Sequence, residues 1–300
     1  MPEGVRIYAV GDVHGRADLL ALLLSQIEVD AALHPVARPI TVFLGDYIDR
    51  GPESRQVIEL LAAWKNVRHS VFLKGNHEDF FLRFLKDAAV LQDWRYCGGL
   101  ETLVAYGLRP PISPAATEQA QLARDLAGAL PETHRAFLQA LEPFFICGDF
   151  VFVHAGLRPL VAIERQTEDD LLWIRDEFLL WDRPFEKIVV HGHTPVHEPD
   201  IRNNRINIDT GAFATGRLTC MVFEGAEILP LVDVRLWARG LPEWDGQCSS
   251  GPVRSRSAEA ILDARRSLAA LAAAHVRKLK NNSVDRDGDF MGRLDPRPAI

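Results

Sequence analysis

The sequence predicts an α/β fold whose parallel strands end in polar loops gathered along one edge of a sheet. Short apolar runs rich in β-branched and aromatic residues recur at Val5 to Val10, Ile40 to Leu44 and His69 to Leu73. Each leads into a glycine-bearing polar loop and then into apolar residues at helical spacing. Strand, loop and helix repeated three times imply parallel strands with their loops gathered at one edge of the sheet, where α/β proteins bind ligands.

The elements follow in order. After Val5 to Val10 comes Gly11-Asp12-Val13-His14-Gly15, and then Leu19, Leu20, Leu22, Leu23 and Ile27 at helical spacing. Ile40 to Leu44 ends in Gly45-Asp46-Tyr47-Ile48-Asp49-Arg50-Gly51. The helix after it is expected to carry Pro52 in its first turn and to face Val57, Ile58, Leu60 and Leu61 inward. His69 to Leu73 ends in Lys74-Gly75-Asn76-His77-Glu78, with the helical run from Phe80 to Leu85 behind it. Residues 94–141, broken by Pro110, Pro111 and Pro114, read as a mostly helical insertion that caps the site without a chemical loop of its own. Phe150 to Val153 resumes strand character and ends in His154-Ala155-Gly156; Lys187 to Val190 ends in His191-Gly192-His193-Thr194-Pro195. Arg205 to Ile208, Leu218 to Phe223 and Glu227 to Val232 are expected to form successive strands of a second sheet. The catalytic domain is thus expected over 1–241, with a linker, a helix and a polar tail over 242–300.

Composition narrows the function. A net charge of -7 disfavours a dedicated nucleic-acid binder. Cys97, Cys147, Cys220 and Cys248 are scattered, which predicts reduced thiols in a cytoplasmic protein and no thiolate zinc site. The start of the chain has no secretory pattern, and the apolar stretch Leu19 to Ile27 is too short to span a bilayer, so no membrane partner is expected.

The loops together carry Asp12, His14, Asp46, Asp49, Arg50, Asn76, His77, His154, His191 and His193. Carboxylates, imidazoles and an amide oxygen suit borderline divalent ions such as manganese, iron or zinc. Six candidate ligands exceed the needs of one catalytic ion. Two ions roughly 3.5–4 Å apart can hold a bridging hydroxide and neutralise a phosphoryl group during in-line attack.

The ordered blocks GDVHG, GDYIDRG, GNHE, HAG and GHTP, from Gly11 to Pro195, closely resemble the phosphoprotein phosphatases within the calcineurin-like metallophosphoesterases. The resemblance covers about four-fifths of the chain. It implies a two-sheet sandwich in α-β-β-α layers and two divalent metal ions, manganese first. Asp12 and His14 would bind the first ion, Asp46 would bridge, and Asn76, His154 and His193 would bind the second. His191 would be a neighbour and not a ligand. His77 would protonate the leaving oxygen with Asp49 orienting it, and Arg50, Arg175 and Asn76 would meet the substrate phosphate. The implied activity is hydrolysis of phosphoserine and phosphothreonine, or phosphotyrosine, in a protein or peptide. Symmetrical diadenosine tetraphosphate hydrolysis is the alternative, and a phosphate-binding scaffold without turnover is a third. The DRG triplet with its Asp49, and GNHE, resemble the protein-phosphatase branch; HAG and the compact length also fit bacterial dinucleotide hydrolases. Gly211 to Arg217 occupies the place of the longer carboxy-terminal loop of eukaryotic members. The carboxy-terminal helix is a candidate arm for a partner or a second copy.

Overall fold

The computed structural model describes residues 1–235. The linker, helix, tail and partner arm expected over 242–300, and the boundary at 241, lie outside the described residues. Two five-stranded mixed sheets form the centre. The first contains β1 (Val5–Val10), β2 (Arg38–Phe43) and β3 (Ser70–Phe72), parallel as expected. The helices that follow them are α1 (Ala17–Leu33), α2 (Ser54–Lys65) and α3 (Asn76–Phe84). Pro52 lies in the turn before α2 and not in its first turn, which begins at Ser54. Conversely, α3 starts at Asn76, so Asn76 and His77 belong to its first turn.

The insertion is helical, as its composition predicts: α4 (Leu91–Trp94), α5 (Gly99–Ala105), α6 (Ala116–Ala129) and α7 (Glu132–Gln139). The three prolines fall in the irregular stretch between α5 and α6. The second sheet contains β4 (Phe144–Cys147), β5 (Phe150–Val153), β6 (Ile188–His191), β7 (Asp200–Ile201) and β8 (Arg205–Asn207), with α8 (Glu168–Trp173) and α9 (Asp176–Leu179) between β5 and β6. β4, unanticipated, is a half-exposed edge strand antiparallel to β5.

One expectation is overturned. After β8 the chain turns through α10 (Ala212–Thr215) and does not continue the second sheet. β9 (Arg217–Glu224) runs antiparallel to β1, and β10 (Glu227–Arg235) pairs with β9, so both complete the first sheet in the order β10-β9-β1-β2-β3. The reason is β1's otherwise unpaired edge, which the buried run of β9 satisfies on hydrogen bonding and on both faces.

Side-chain alternation sorts the layers. Val5, Ile7 and Ala9 of β1, with Met221 and Phe223 of β9, meet Phe150, Phe152, Val190 and Ile206 of the second sheet. Tyr8 and Val10 point the other way, toward Leu19, Leu20, Leu23, Val57, Ile58 and Leu61 of α1 and α2. Val151, Val153 and Val189 meet Leu171, Ile174 and Phe178 beyond the second sheet. The result is the α-β-β-α sandwich. Among the described residues no helix is long and apolar enough to cross a membrane, and Cys97, Cys147 and Cys220 are free thiols.

Phe223 joins the two sheets, its ring standing edge-on to Phe150 and Phe152 with centroids 5.1 and 5.6 Å away. Phe223→Ala should therefore cost about 3–5 kcal/mol of folding stability, read as a lowered denaturant midpoint at unchanged slope.

Candidate active site

The loops after β1, β2, β3, β5, β6 and β8 converge at one end of the two sheets. Their backbones are unusual. His14, Asp46, Asp49, Arg50 and His193 all have left-handed φ, between 46° and 71°, a region that costs a non-glycine residue of order 1–3 kcal/mol. Buried hydrogen bonds hold them there. The amides of Val13 and His14 donate to the Asp46 carbonyl at 3.1 and 2.8 Å, and Gly15 donates to Tyr47 at 2.8 Å. Asp49 N–H is shared by the hydroxyls of Ser54 and Thr102 at 3.0 and 2.9 Å.

Glu78 is central to this frame. At the third position of α3 its carboxylate accepts from the N-cap amide of Gly75 at 3.0 Å. It also accepts from the amides of Asp46, Tyr47 and Ile48 at 2.9, 2.8 and 3.3 Å. Burial and the Asp46 charge push its pKa up to about 8, against the pull of His77 and the backbone donors. Every one of these four contacts nonetheless directs an N–H at an oxygen, the arrangement of a carboxylate. Gly75 has no room for a side chain, since a Cβ would stand 2.2 Å from Asp46 Oδ1.

Asp46 lies between two groups of imidazoles. Its Oδ2 is 3.5 Å from His14 Nε2 and 3.6 Å from His77 Nε2, while its Oδ1 is 3.3 Å from His154 Nε2. Asn76 Oδ1 stands 2.9 Å from both His154 Nε2 and His193 Nδ1. Two triples sharing Asp46, His14–Asp46–His77 and Asp46–His154–His193, each have ligand atoms within 4.8 Å of one another. Nδ1 of His14 faces the Ile48 carbonyl and Nδ1 of His154 the Leu44 carbonyl, both at 2.9 Å, which aims Nε2 of each ring inward.

Charge follows burial. Burial holds the His14 and His154 pKa values below the usual histidine range and brings His193 down to about 2. Asp46 is buried too, but the surrounding His154, His77, His14 and His193 outweigh burial and hold it below the usual carboxylate range. Neutral imidazoles around an ionised carboxylate are the protonation states that metal ligation requires. The pattern reverses at His77. There burial is outweighed by Asp46 and by the hydrogen bond to Asp49, and the pKa is raised.

Not every expected residue joins these triples. Asp12 lies beside them: its Oδ2 accepts from His193 N–H at 3.0 Å, and its buried Oδ1 has no hydrogen-bond partner. Burial, then Asp209 and Asp46, push its pKa well up. His193 Nε2 is likewise buried without a partner. The partnerless carboxylate oxygen of Asp12, beside two donor sets of imidazole and carboxylate that share Asp46, fits divalent metal ions. His191 is separate from the cluster, its ring edge-on to Phe178 at 4.8 Å and its Nδ1 3.1 Å from the Gly192 carbonyl. Arg175 is exposed at the rim, with Nη1 3.4 Å from Thr194 Oγ1, and its charge is felt by His154 and His193.

The insertion contributes more than a cover. Asp49 Oδ2 accepts from His77 Nδ1 and from Trp94 Nε1, both at 2.6 Å, and Oδ1 accepts from Thr102 at 2.5 Å. Gly98, at φ 95°, brings its carbonyl to the Arg50 amide at 3.2 Å. Trp94, Thr102, Glu78, Asp209 and Phe213 are site residues that sequence reasoning passed over. Glu78 stood inside GNHE, whereas no local spacing marks Trp94 or Thr102. Glu78→Gln keeps one acceptor oxygen but turns an NH2 group toward backbone donors. It should lower stability by about 1–3 kcal/mol, measured by denaturant unfolding.

Comparison with known proteins agrees with this geometry. The sequence profile of calcineurin-like phosphoesterases matches residues 5–240. A bis(5'-nucleosyl)-tetraphosphatase PrpE [asymmetrical] of Anoxybacillus flavithermus is 28% identical over 239 residues, covering 73% of this chain and 90% of that protein. The protein of the same name from Bacillus subtilis is 29% identical over 238 residues, covering 73% and 91%. A solved structure described as a putative diadenosine tetraphosphatase superposes with a TM-score of 0.52 at 23% identity, covering 78% of this chain and 95% of that one. With the profile spanning more than three-quarters of its length and the site at the strand ends where that fold binds ligands, the chain belongs to the calcineurin-like phosphoesterase family.

Proposed function

We propose that the chain hydrolyses phosphoserine and phosphothreonine monoesters of proteins or peptides by direct attack of water on phosphorus. The observation that carries this reading is the Asp49–His77 pair. His77 Nδ1 is bound to Asp49 at 2.6 Å, leaving Nε2 to face the cluster, 3.6 Å from Asp46 Oδ2 and 3.3 Å from Arg50 Nη2. Asp49 is itself held by Trp94 and Thr102. Such investment in a proton donor has a chemical use. An alkoxide or phenoxide is a poor leaving group at neutral pH and needs a proton as the bond to phosphorus breaks. A nucleotide released from a polyphosphate leaves as a stable anion and needs one far less.

In this reading Asp12, His14 and Asp46 hold one divalent ion, and Asp46, Asn76, His154 and His193 the other; manganese suits the donor set, as do iron and zinc. When bound, such a pair supplies an activated water and neutralises phosphoryl charge. The side chains do the rest. Arg50 presents the N–H edge of its fork to the phosphate oxygens, Asn76 stands where its amide can reach them, and Arg175 closes the rim as a second clamp. With Arg50 Nη2 bonded to phosphate, His77 Nε2 is free to take up a proton from solvent, and the imidazolium so formed, stabilised by Asp49, gives that proton to the leaving oxygen and returns to neutral imidazole.

A second reading rests on the relatives. Those compared above are named as tetraphosphatases of the asymmetrical kind. A bis(5'-nucleosyl)-tetraphosphate is therefore the competing substrate, and the relatives' names favour asymmetrical cleavage over the symmetrical cleavage that was the alternative from sequence. A panel of phosphoserine, phosphothreonine and phosphotyrosine peptides and diadenosine tetraphosphate, each with manganese and with chelator, separates the two. Phosphopeptide turnover should exceed dinucleotide turnover and vanish with chelator; the reverse preference would replace the first reading by the second. His77→Asn should lower phosphoserine turnover by about 100- to 10,000-fold with bound metal unchanged. Undiminished turnover in that variant would remove His77 from the reaction.

A further inference from the structure

Gly211 to Gly216 stands where eukaryotic relatives would carry a longer loop, and the roles above leave it without a task. The structure makes it rigid. Gly211 and Gly216, with φ of 67° and 68°, bracket the single turn of α10. The Thr215 hydroxyl bonds the carbonyls of Thr210 and Gly211 at 2.8 and 3.0 Å. Ala212 is buried, and its carbonyl accepts from Arg16 Nη1 at 3.0 Å, with Arg16 forked onto Asp18. Between these anchors Phe213 is held at the site with 37% of its surface exposed. Its ring stands at 82° to His14 with centroids 5.5 Å apart, and Arg50 Cζ lies 4.8 Å from its centre.

Arg50 has no carboxylate partner among the described residues: its side chain meets His77 Nε2 and the Phe213 ring. Both oxygens of the neighbouring acid, Asp49, are taken by His77, Trp94 and Thr102. We propose that Phe213 is a positioning residue that fixes the Arg50 guanidinium through its aromatic face, so that the charge is oriented toward phosphate without being neutralised. The inference rests on the reading of Arg50 as phosphate clamp. A carboxylate would also hold an arginine, but it would subtract the charge that the phosphate has to meet and occupy the N–H edge. A ring attracts the cation from one face and leaves the donors along the edge of the fork free.

The test uses the full chain loaded with manganese, p-nitrophenyl phosphate as substrate and orthophosphate as competitive inhibitor. Phe213→Leu should raise KM and the orthophosphate Ki together by about three- to thirty-fold, with kcat within about two-fold of wild type. Phe213→Tyr, which keeps the face, should restore both constants. Melting temperature and bound manganese should be unchanged in both variants, and Phe213→Met serves the same comparison should the leucine variant fail to fold. In an Arg50→Ala background Phe213→Leu should have no further effect. An unchanged Ki in Phe213→Leu, or the same rise with and without Arg50, would overturn the proposal. If Arg50→Ala raises both constants and Phe213→Leu does not, only the role of Phe213 fails. If Arg50→Ala leaves both constants at wild-type values, the clamp reading fails and the inference with it.

Discussion

The carboxylate of Glu78 binds the amides of Asp46, Tyr47, Ile48 and Gly75, and the shape of the site depends on that one buried group. It ties the loop after β2 to the start of α3, so that the left-handed turn at Asp46 persists against its conformational cost. From that turn the two oxygens of Asp46 face different imidazoles, and the two donor sets share one carboxylate. The constraint is reciprocal: with Gly75 hard against Asp46 and Glu78 beneath it, neither loop can shift without breaking bonds in the other. A buried polar network is worth its cost of desolvation only when its members are satisfied, and here the frame is satisfied. A buried acceptor without a partner, Asp12 Oδ1, lies beside the donor sets that this frame holds.

A second layer of control comes from the helical insertion. Trp94 and Thr102 reach Asp49 from α4 and α5, and Gly98 reaches the backbone of Arg50. The insertion thus fixes the orientation of the proposed proton donor and the proposed clamp, while the sheets fix the metal-ligand candidates.

The strand-loop-helix units, the helical insertion and the grouping of the loops at one edge were all legible, because apolar periodicity and glycine-bearing strand ends are local signals. The placement of β9 was not legible. Its run reads as a buried strand wherever it pairs, and only the free edge of β1 decides which sheet receives it. The half-exposed β4 was missed for a related reason, since its burial alternates too weakly to stand out from the helices before it.

By itself the sequence determined which loops meet: those carrying Asp12, His14, Asp46, Asn76, His154 and His193 adjoin, and His191 packs on Phe178 outside the donor triples. The resemblance to the family also set His77 apart from the other histidines, with Asp49 expected to orient it. The tertiary structure alone decided how these groups are held. The bonds that hold the left-handed loops, the pKa divergence between His77 and the other imidazoles, the partners of Asp49 and the placement of Arg50 over the Phe213 ring all join residues distant in the chain. A motif specifies which atoms are available, whereas their orientation and charge depend on burial and on long-range hydrogen bonds that no local spacing encodes.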